Sequence, residues 1–199
     1  MNAGQKNGWL KIIIGFYVLL AISLMVGGCI TEIVAYQQRV LAIKIDERLI
    51  AVENCLYALD DYAALIYSGE TENTASFYVG EALTQVQVVE EELADLIFQL
   101  SLMDVTNETA REAHDNLIEG LTLWKVATIN YRKLFNLAHE YEIMEDYAAQ
   151  LMTESDRVYI QNQMADNDRL AQDTYDDIIR QLNEGGNLMG LWSETVFNG

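Results

Sequence analysis

The chain of 199 residues contains no proline, two cysteines and two histidines, and sets only twelve Lys and Arg against thirty-one Asp and Glu. Each scarcity closes off a class of protein. Beyond residue 31, glycine occurs only at positions 69, 80, 120, 185, 186, 190 and 199. With so few breakers among abundant Ala, Leu, Glu and Gln, helix is expected nearly throughout. Cys29 and Cys55 fall on what reads as one helix and would stand about 39 Å apart at the helical rise, beyond disulfide reach. No internal disulfide is therefore available, and Cys55 is most simply a small core residue. Spacings for haem attachment or zinc are absent. The acidic excess repels nucleic acid and anionic lipid headgroups.

The shortage of histidine bears on catalysis. A di-iron bundle needs Glu-x-x-His twice on facing helices, whereas three residues before His114 stands Arg111 and three before His139 stands Asn136. A Ser or Cys nucleophile needs an oriented histidine, and neither one sits in a recognisable motif. The expectation is a protein that is not an enzyme and holds no cofactor and no metal. Asp166-Asn167-Asp168 matches the start of an EF-hand loop, but the later Gly and the Glu at the twelfth position are missing.

One long apolar run is present. Leu10 to Thr31 includes nineteen uncharged residues from Ile12 to Ile30, enough at ~1.5 Å per residue to match a hydrocarbon core. Lys6, Lys11 and the α-amino group precede it and every acid follows it. The positive-inside rule then keeps residues 1–8 in the cytoplasm and places the bulk of the chain on the extracytoplasmic face of the cell membrane. Residues 9–31 fit an uncleaved anchor helix. Residues 1–28 also fit a cleaved signal, because Val26, Gly27, Gly28 and Cys29 resemble the lipobox of bacterial-type lipoproteins, a resemblance that implies lipidation of Cys29. It departs from that pattern in having Val where Leu is usual and Gly where Ala or Ser is usual.

The outer part, 32–184, divides by its apolar periodicity. Ile45, Leu49, Val52, Leu56, Leu59, Ala63 and Ile66 recur in steps of four and three, as do Ala82, Val86, Val89, Leu93, Leu96, Leu100 and Met103. These predict helices over about 32–68 and 74–104 with a turn at Gly69 to Asn73, the seven-residue repeat of near-parallel packing. A third helix is expected from a capping box at Thr109-Ala-Arg-Glu112, burying Ala113, Leu117, Leu121, Trp124, Tyr131, Leu134 and Ala138. Its end is set at His139 to Glu142 to give four comparable lengths, with Thr153 to Asp156 as the alternative. The fourth helix, with Met164, Ala171, Tyr175, Ile178 and Leu182 inward, is expected to stop at Asn183-Glu184-Gly185-Gly186. Residues 185–199 then form a tail, either interfacial at the membrane or frayed. The fold class expected is all-α, an N-terminal membrane or signal helix followed by an up-down-up-down antiparallel four-helix bundle.

Charge and aromatics supply the candidate site. From residue 49 to 110 there are twelve acids and no base, including Glu90-Glu91-Glu92 and Asp95. The run fits a solvated face, and also fits attraction of divalent cations or a basic partner. Tyr57, Tyr62, Tyr67, Phe77 and Tyr78 from the first hairpin, with Tyr131, Phe135, Tyr141 and Tyr147 from the second, gather at the membrane-distal end. They fit core filling, and they also fit a site, since tyrosine is favoured where proteins bind. Arg132 and Lys133 form an adjacent basic pair in the same zone. The ligand-binding candidates are accordingly Arg132, Lys133, Tyr62, Tyr67, Tyr78, Tyr131 and Tyr141, for a small anionic ligand.

This topology over residues 9–184 resembles the extracytoplasmic four-helix sensory domains of chemoreceptors and sensor kinases. The likeness rests on helix order and carries no specific motif. It implies ligands held between helices near the distal end. Such receptors continue through a second span to a signalling module, and no such segment follows here before Gly199. A sensor of this form would signal laterally to a membrane protein partner or within a homo-oligomer. A structural or adhesive surface protein is the other class the sequence fits.

Overall fold

A computed structural model describes residues 29–68, 75–103, 105, 108–150 and 153–198. Their regular structure is all-α, in four helices: α1 (Cys29–Ser68), α2 (Ala75–Ser101), α3 (Glu108–Gln150) and α4 (Glu154–Asn198). The chain divides into two compact units, Met1–Asp46 and Glu47–Gly199. In the first, the described residues are helical from Cys29; the second holds the features that follow. Residues 1–28 lie outside the described residues, and with them most of the expected membrane segment and Val26 to Gly28 of the lipobox-like stretch. Among the described residues no helix is long and apolar enough to cross a membrane. The expected turn at Gly69 to Asn73 also lies outside them.

The seam residues of α1 and α2 are where the periodicity puts them. Leu49, Val52, Leu56, Leu59 and Ala63 are buried on α1, and Val79, Ala82, Val86, Val89, Leu93, Leu96 and Leu100 on α2. Apolar side chains at a seven-residue recurrence make one stripe per helix, and removing each Leu or Val from water contributes roughly 1.5–3 kcal/mol. Ile66 and Met103, at the ends of the two expected stripes, are only half-buried. Arg48 clamps α1 to α2 outside this seam. Its Nε donates to Glu92 Oε1 at 2.7 Å, Nη2 to Asp95 Oδ2 at 2.8 Å and Nη1 to Gln99 Oε1 at 3.2 Å. Further along, Tyr62 Oη donates to Glu81 at 3.4 Å, so partners step down α2 as they step up α1.

Three expectations are corrected. The third helix does not turn at His139 to Glu142; α3 continues to Gln150 and α4 opens at Glu154. Thr153 caps it, accepting the Asp156 amide at 3.2 Å on Oγ1 and donating that hydroxyl to the Asp156 carboxylate. The amide bond to Oγ1 is the N-cap half of a capping box, with the side chain-side chain contact in place of the return bond to the backbone, and it outweighs any tendency toward equal helix lengths. Thr109 is not the cap of α3, because the helix has already begun at Glu108. Arg111 instead ties its start to the preceding segment, donating from Nε and Nη2 to the Val105 carbonyl, both at 3.3 Å.

Nor does α4 stop at Asn183 to Gly186. It runs on to Asn198, with Met189 and Trp192 buried. The glycines expected to break it serve helix packing. A Cβ on Gly185 would lie 2.6 Å from Trp124 Cδ1 and 2.7 Å from the Gly120 carbonyl oxygen; one on Gly120 would lie 2.8 Å from the Gly185 carbonyl oxygen. Two missing side chains let the backbones of α3 and α4 touch, and the contact returns more than the helix propensity that glycine forfeits. Going up α3, the partners on α4 descend: Gly120 meets Gly185 and Met189, Trp124 Nε1 donates to the Leu182 carbonyl at 3.1 Å, and Asn130 Nδ2 donates to Gln181 Oε1 at 3.0 Å.

The buried face of α4 is unusual in composition. Asn167, Ala171, Thr174, Ile178, Gln181, Gly185, Met189 and Trp192 form it, so every seventh position from 167 to 181 is polar. Thr174 answers its own need by donating to the Leu170 carbonyl at 2.6 Å, and Gln181 by accepting from Asn130. Such groups cost little once bonded. The seam ends abruptly: on α3 beyond Ala138 and on α4 before Asn167, no described residue is buried.

The two neighbouring glycines make a paired test. Replacing Gly185 with Ala drives a methyl into backbone and should destabilise the fold by about 1–3 kcal/mol. Gly186→Ala meets nothing within 4 Å and should stabilise it by about 0.5–1 kcal/mol. Denaturant unfolding of the two full-length variants in detergent reads both; equal effects would contradict the close approach.

Candidate functional site

Asp60 follows Leu59 on α1 and so stands at the edge of the seam rather than in it. Tyr131 on α3 is fully buried, and Tyr175 on α4 is half-buried. A buried phenol must find an acceptor, and both find the same atom. Asp60 Oδ1 accepts from Tyr175 Oη at 2.8 Å and from Tyr131 Oη at 3.3 Å. One carboxylate oxygen thereby joins three helices. Burial first, then the hydrogen bond and charge of Asp60, push the Tyr175 phenol up to about 12. Burial first, then the charge of Asp60, also raises Tyr131.

This node is the shared wall of two cavities. One, of about 420 Å³, is lined by Ala63, Tyr67, Leu134, Asp168, Ala171 and Tyr175 among others. The second, of about 350 Å³, is bordered by Glu53, Tyr57, Asp60, Trp124 and Tyr131, with Asn183, Gly186 and Asn187 from α4. Both fall at the small end of the range for ligand pockets. Tyr67 lines the first cavity and is partly exposed, while its hydroxyl donates to the Leu134 carbonyl at 3.2 Å. Burial, and then Asp168, push its phenol up to about 12. Acids line both cavities, and among the described residues no Lys, Arg or His lines either.

The residues singled out in the sequence are only partly brought together. Tyr67 and Tyr131 line the cavities. Tyr62 stands apart on the α1–α2 side at Glu81, its phenol raised by desolvation and by that carboxylate. Tyr78 packs edge-on against Phe77, ring centroids 5.4 Å apart. Tyr141 lies beyond the buried seam, its phenol raised by desolvation and then by Asp168 and Glu145. Cys29 is helical and is the first of the described residues. Arg132 donates to Glu90 Oε2 on α2 at 2.5 Å, and Lys133 is exposed. Neither base lines a cavity, so the pair expected to meet an anion is not gathered with the tyrosines that would orient it. The other oxygen of that glutamate, Oε1, is buried and makes no hydrogen bond.

The acidic run is thus less uniformly solvated than its composition suggests: Glu90 faces Arg132 and Glu92 faces Arg48, while Glu91 is exposed. Sequence reasoning missed Asp60, Trp124 and Tyr175 as site residues. The available signal was Tyr131 and Tyr175 both on inward faces, since two buried hydroxyls need an acceptor and a carboxylate flanking a seam is the nearest kind. Among the described residues there is no group of three or more His, Cys, Asp or Glu placed to hold a metal ion. No protein-family model matches the chain, and no curated protein or solved structure is significantly similar to it.

The phenol bonds have a measurable signature. A group whose pKa is raised by folding stabilises the fold fully below its unfolded value, here about 10, and that contribution is lost as pH rises through about 12 for Tyr175. Ultraviolet titration of phenolate should therefore show a late class containing Tyr67, Tyr131 and Tyr175, with stability falling across the same alkaline window. Tyr175→Phe should remove one tyrosine from that class; an unchanged late class would contradict the burial of that phenol beside Asp60.

Proposed function

We propose that the chain is a membrane-anchored ligand-binding module: an up-down-up-down antiparallel bundle on the extracytoplasmic side, tethered by the apolar segment at 9–31. The antiparallel order is supported by the opposite stepping of partners between α1 and α2 and between α3 and α4. It is also supported by the like stepping of Asp60 with Tyr131 and Tyr67 with Leu134 between α1 and α3. The tether and sidedness rest on the uncharged run and the Lys residues before it.

The observation that carries the binding reading is the Asp60 node with a cavity on either side. The two spaces are clefts open to solvent, and polar groups converging on a partly apolar cleft are the usual form of a small-molecule site. Binding rather than catalysis is supported by His114 and His139, which line neither cavity. In this reading the module resembles the sensory bundles of receptors, and it acts through a membrane protein partner or a second copy.

A structural or adhesive role is the second reading, favoured by Ile143, Tyr147, Val158 and Tyr159, which are exposed where the seam has ended. Two experiments separate and test these readings. Thermal unfolding of the full chain in detergent against small anions, cations and neutral solutes should show a rise for one class, because ligands bind the native state preferentially. No rise in any class, together with oligomers that grow with concentration in light scattering, would favour the adhesive role. Protease added to intact cells should digest the chain beyond residue 32; full protection would overturn the extracytoplasmic placement.

A further inference from the structure

The charge around the Asp60 node is one-sided, and the side is negative. Asp60 receives two neutral phenols on a single oxygen, and no ion pair to Lys, Arg or His is formed by it among the described residues. A half-buried carboxylate has lost part of its hydration, and neutral donors restore only part of that loss. In the cavity of about 350 Å³, Glu53 adds a second carboxylate. Tyr57, Trp124 and Tyr131 add three aromatic rings to the lining, and an aromatic ring offers a cation a negative quadrupole where its face is free. An anion entering there would meet repulsion from both sources. A cation would meet attraction from both, and would complete the hydrogen bonding of Asp60.

The shape argues against a bare metal ion. Calcium asks for six to eight converging oxygens, and here the carboxylates of Glu53 and Asp60 and the amides of Asn183 and Asn187 share the lining with rings and aliphatic side chains, Leu56, Ile179 and Leu182 among them. A lining of mixed apolar and acidic side chains suits a cation that carries its own hydrocarbon.

We infer that the cavity bounded by Glu53, Tyr57, Asp60, Trp124 and Tyr131 binds a small organic ammonium ion, its nitrogen at the Asp60 carboxylate and its hydrocarbon against the rings. This rests on the ligand-binding reading and adds to it the charge and class of the ligand.

Three probes of one shape test it: benzylammonium, benzyl alcohol and benzoate, added to the full chain in uncharged detergent and followed by calorimetric titration and thermal unfolding. Benzylammonium should bind and raise the unfolding temperature, and the alcohol and the carboxylate should do neither. Asp60→Asn removes the charge and leaves an oxygen to accept from Tyr131 and Tyr175; it should weaken benzylammonium binding about tenfold or more, as expected for a charge-assisted bond. Glu53→Gln, at a residue that joins no two helices, should weaken it by a smaller factor and serves if Asp60→Asn does not fold. Benzyl alcohol or benzoate binding as tightly as benzylammonium, or full affinity in a folded Asp60→Asn variant, would overturn the inference. Either result leaves the ligand-binding reading in place. No response to these probes or to any solute in the wider screen would overturn both.

Discussion

A carboxylate at the edge of an apolar seam has to be satisfied by something, and in this molecule the means of satisfying Asp60 fixes how three helices meet. Its Oδ1 takes the hydroxyls of Tyr131 and Tyr175, so α1, α3 and α4 are pinned at one level. Apolar stripes alone tolerate sliding by a heptad at modest cost, because Leu against Leu looks similar one repeat on. A buried hydroxyl shifted away from its acceptor loses a hydrogen bond and keeps its desolvation, which costs about 1–3 kcal/mol per group. Register is therefore set by the polar node, while the apolar seam supplies most of the cohesion.

The second constraint is the contact between Gly120 and Gly185. It brings α3 and α4 together at the backbone and seats Trp124 across the crossing, where its indole donates to the Leu182 carbonyl. A tryptophan held this way presents a ring to the cavity with little freedom to move. Polar residues at Asn167, Thr174 and Gln181 on the same face of α4 leave that helix with less apolar seam than α1 or α2. Helices paired by small and polar groups as much as by bulk have fewer alternative packings, because each buried polar atom accepts few partners.

Legibility in the sequence followed these physical differences. The seams of α1 and α2 could be read because every seam residue is apolar and the steps of four and three are unbroken. On α4 the face is interrupted at Asn167, Thr174, Gln181 and Gly185, so hydrophobic periodicity alone finds Ala171 and Ile178 and misses the frame they belong to. Gly185-Gly186 looked like a stop because glycine is disfavoured in helix interiors, an inference that holds only until a second helix needs the space. The turn after α3 did have a local signature, Thr153-x-x-Asp156, which is stronger physical grounds than symmetry of length. Asp60 was hidden for another reason. Its role comes from residues 71 and 115 positions away, and no local pattern encodes that.

The distribution of basic residues completes the logic of the site. In a chain so acidic, each Arg is a scarce resource for holding the bundle, and Arg48 and Arg132 bridge helices away from the cavities: Arg48 joins α1 to Glu92 and Asp95 of α2, and Arg132 joins α3 to Glu90. Both bridge to α2, and no described side chain of α2 lines either cavity. Positive charge thus secures one side of the bundle while the other side, between α1, α3 and α4, keeps its carboxylates facing open space. Arg132 follows Tyr131 on α3, yet its guanidinium pairs with Glu90 of α2 while the Tyr131 hydroxyl donates to Asp60 of α1. Adjacent residues of one helix thus carry a positive charge and a neutral donor to different partners, and the donor that reaches the Asp60 carboxylate is the neutral one.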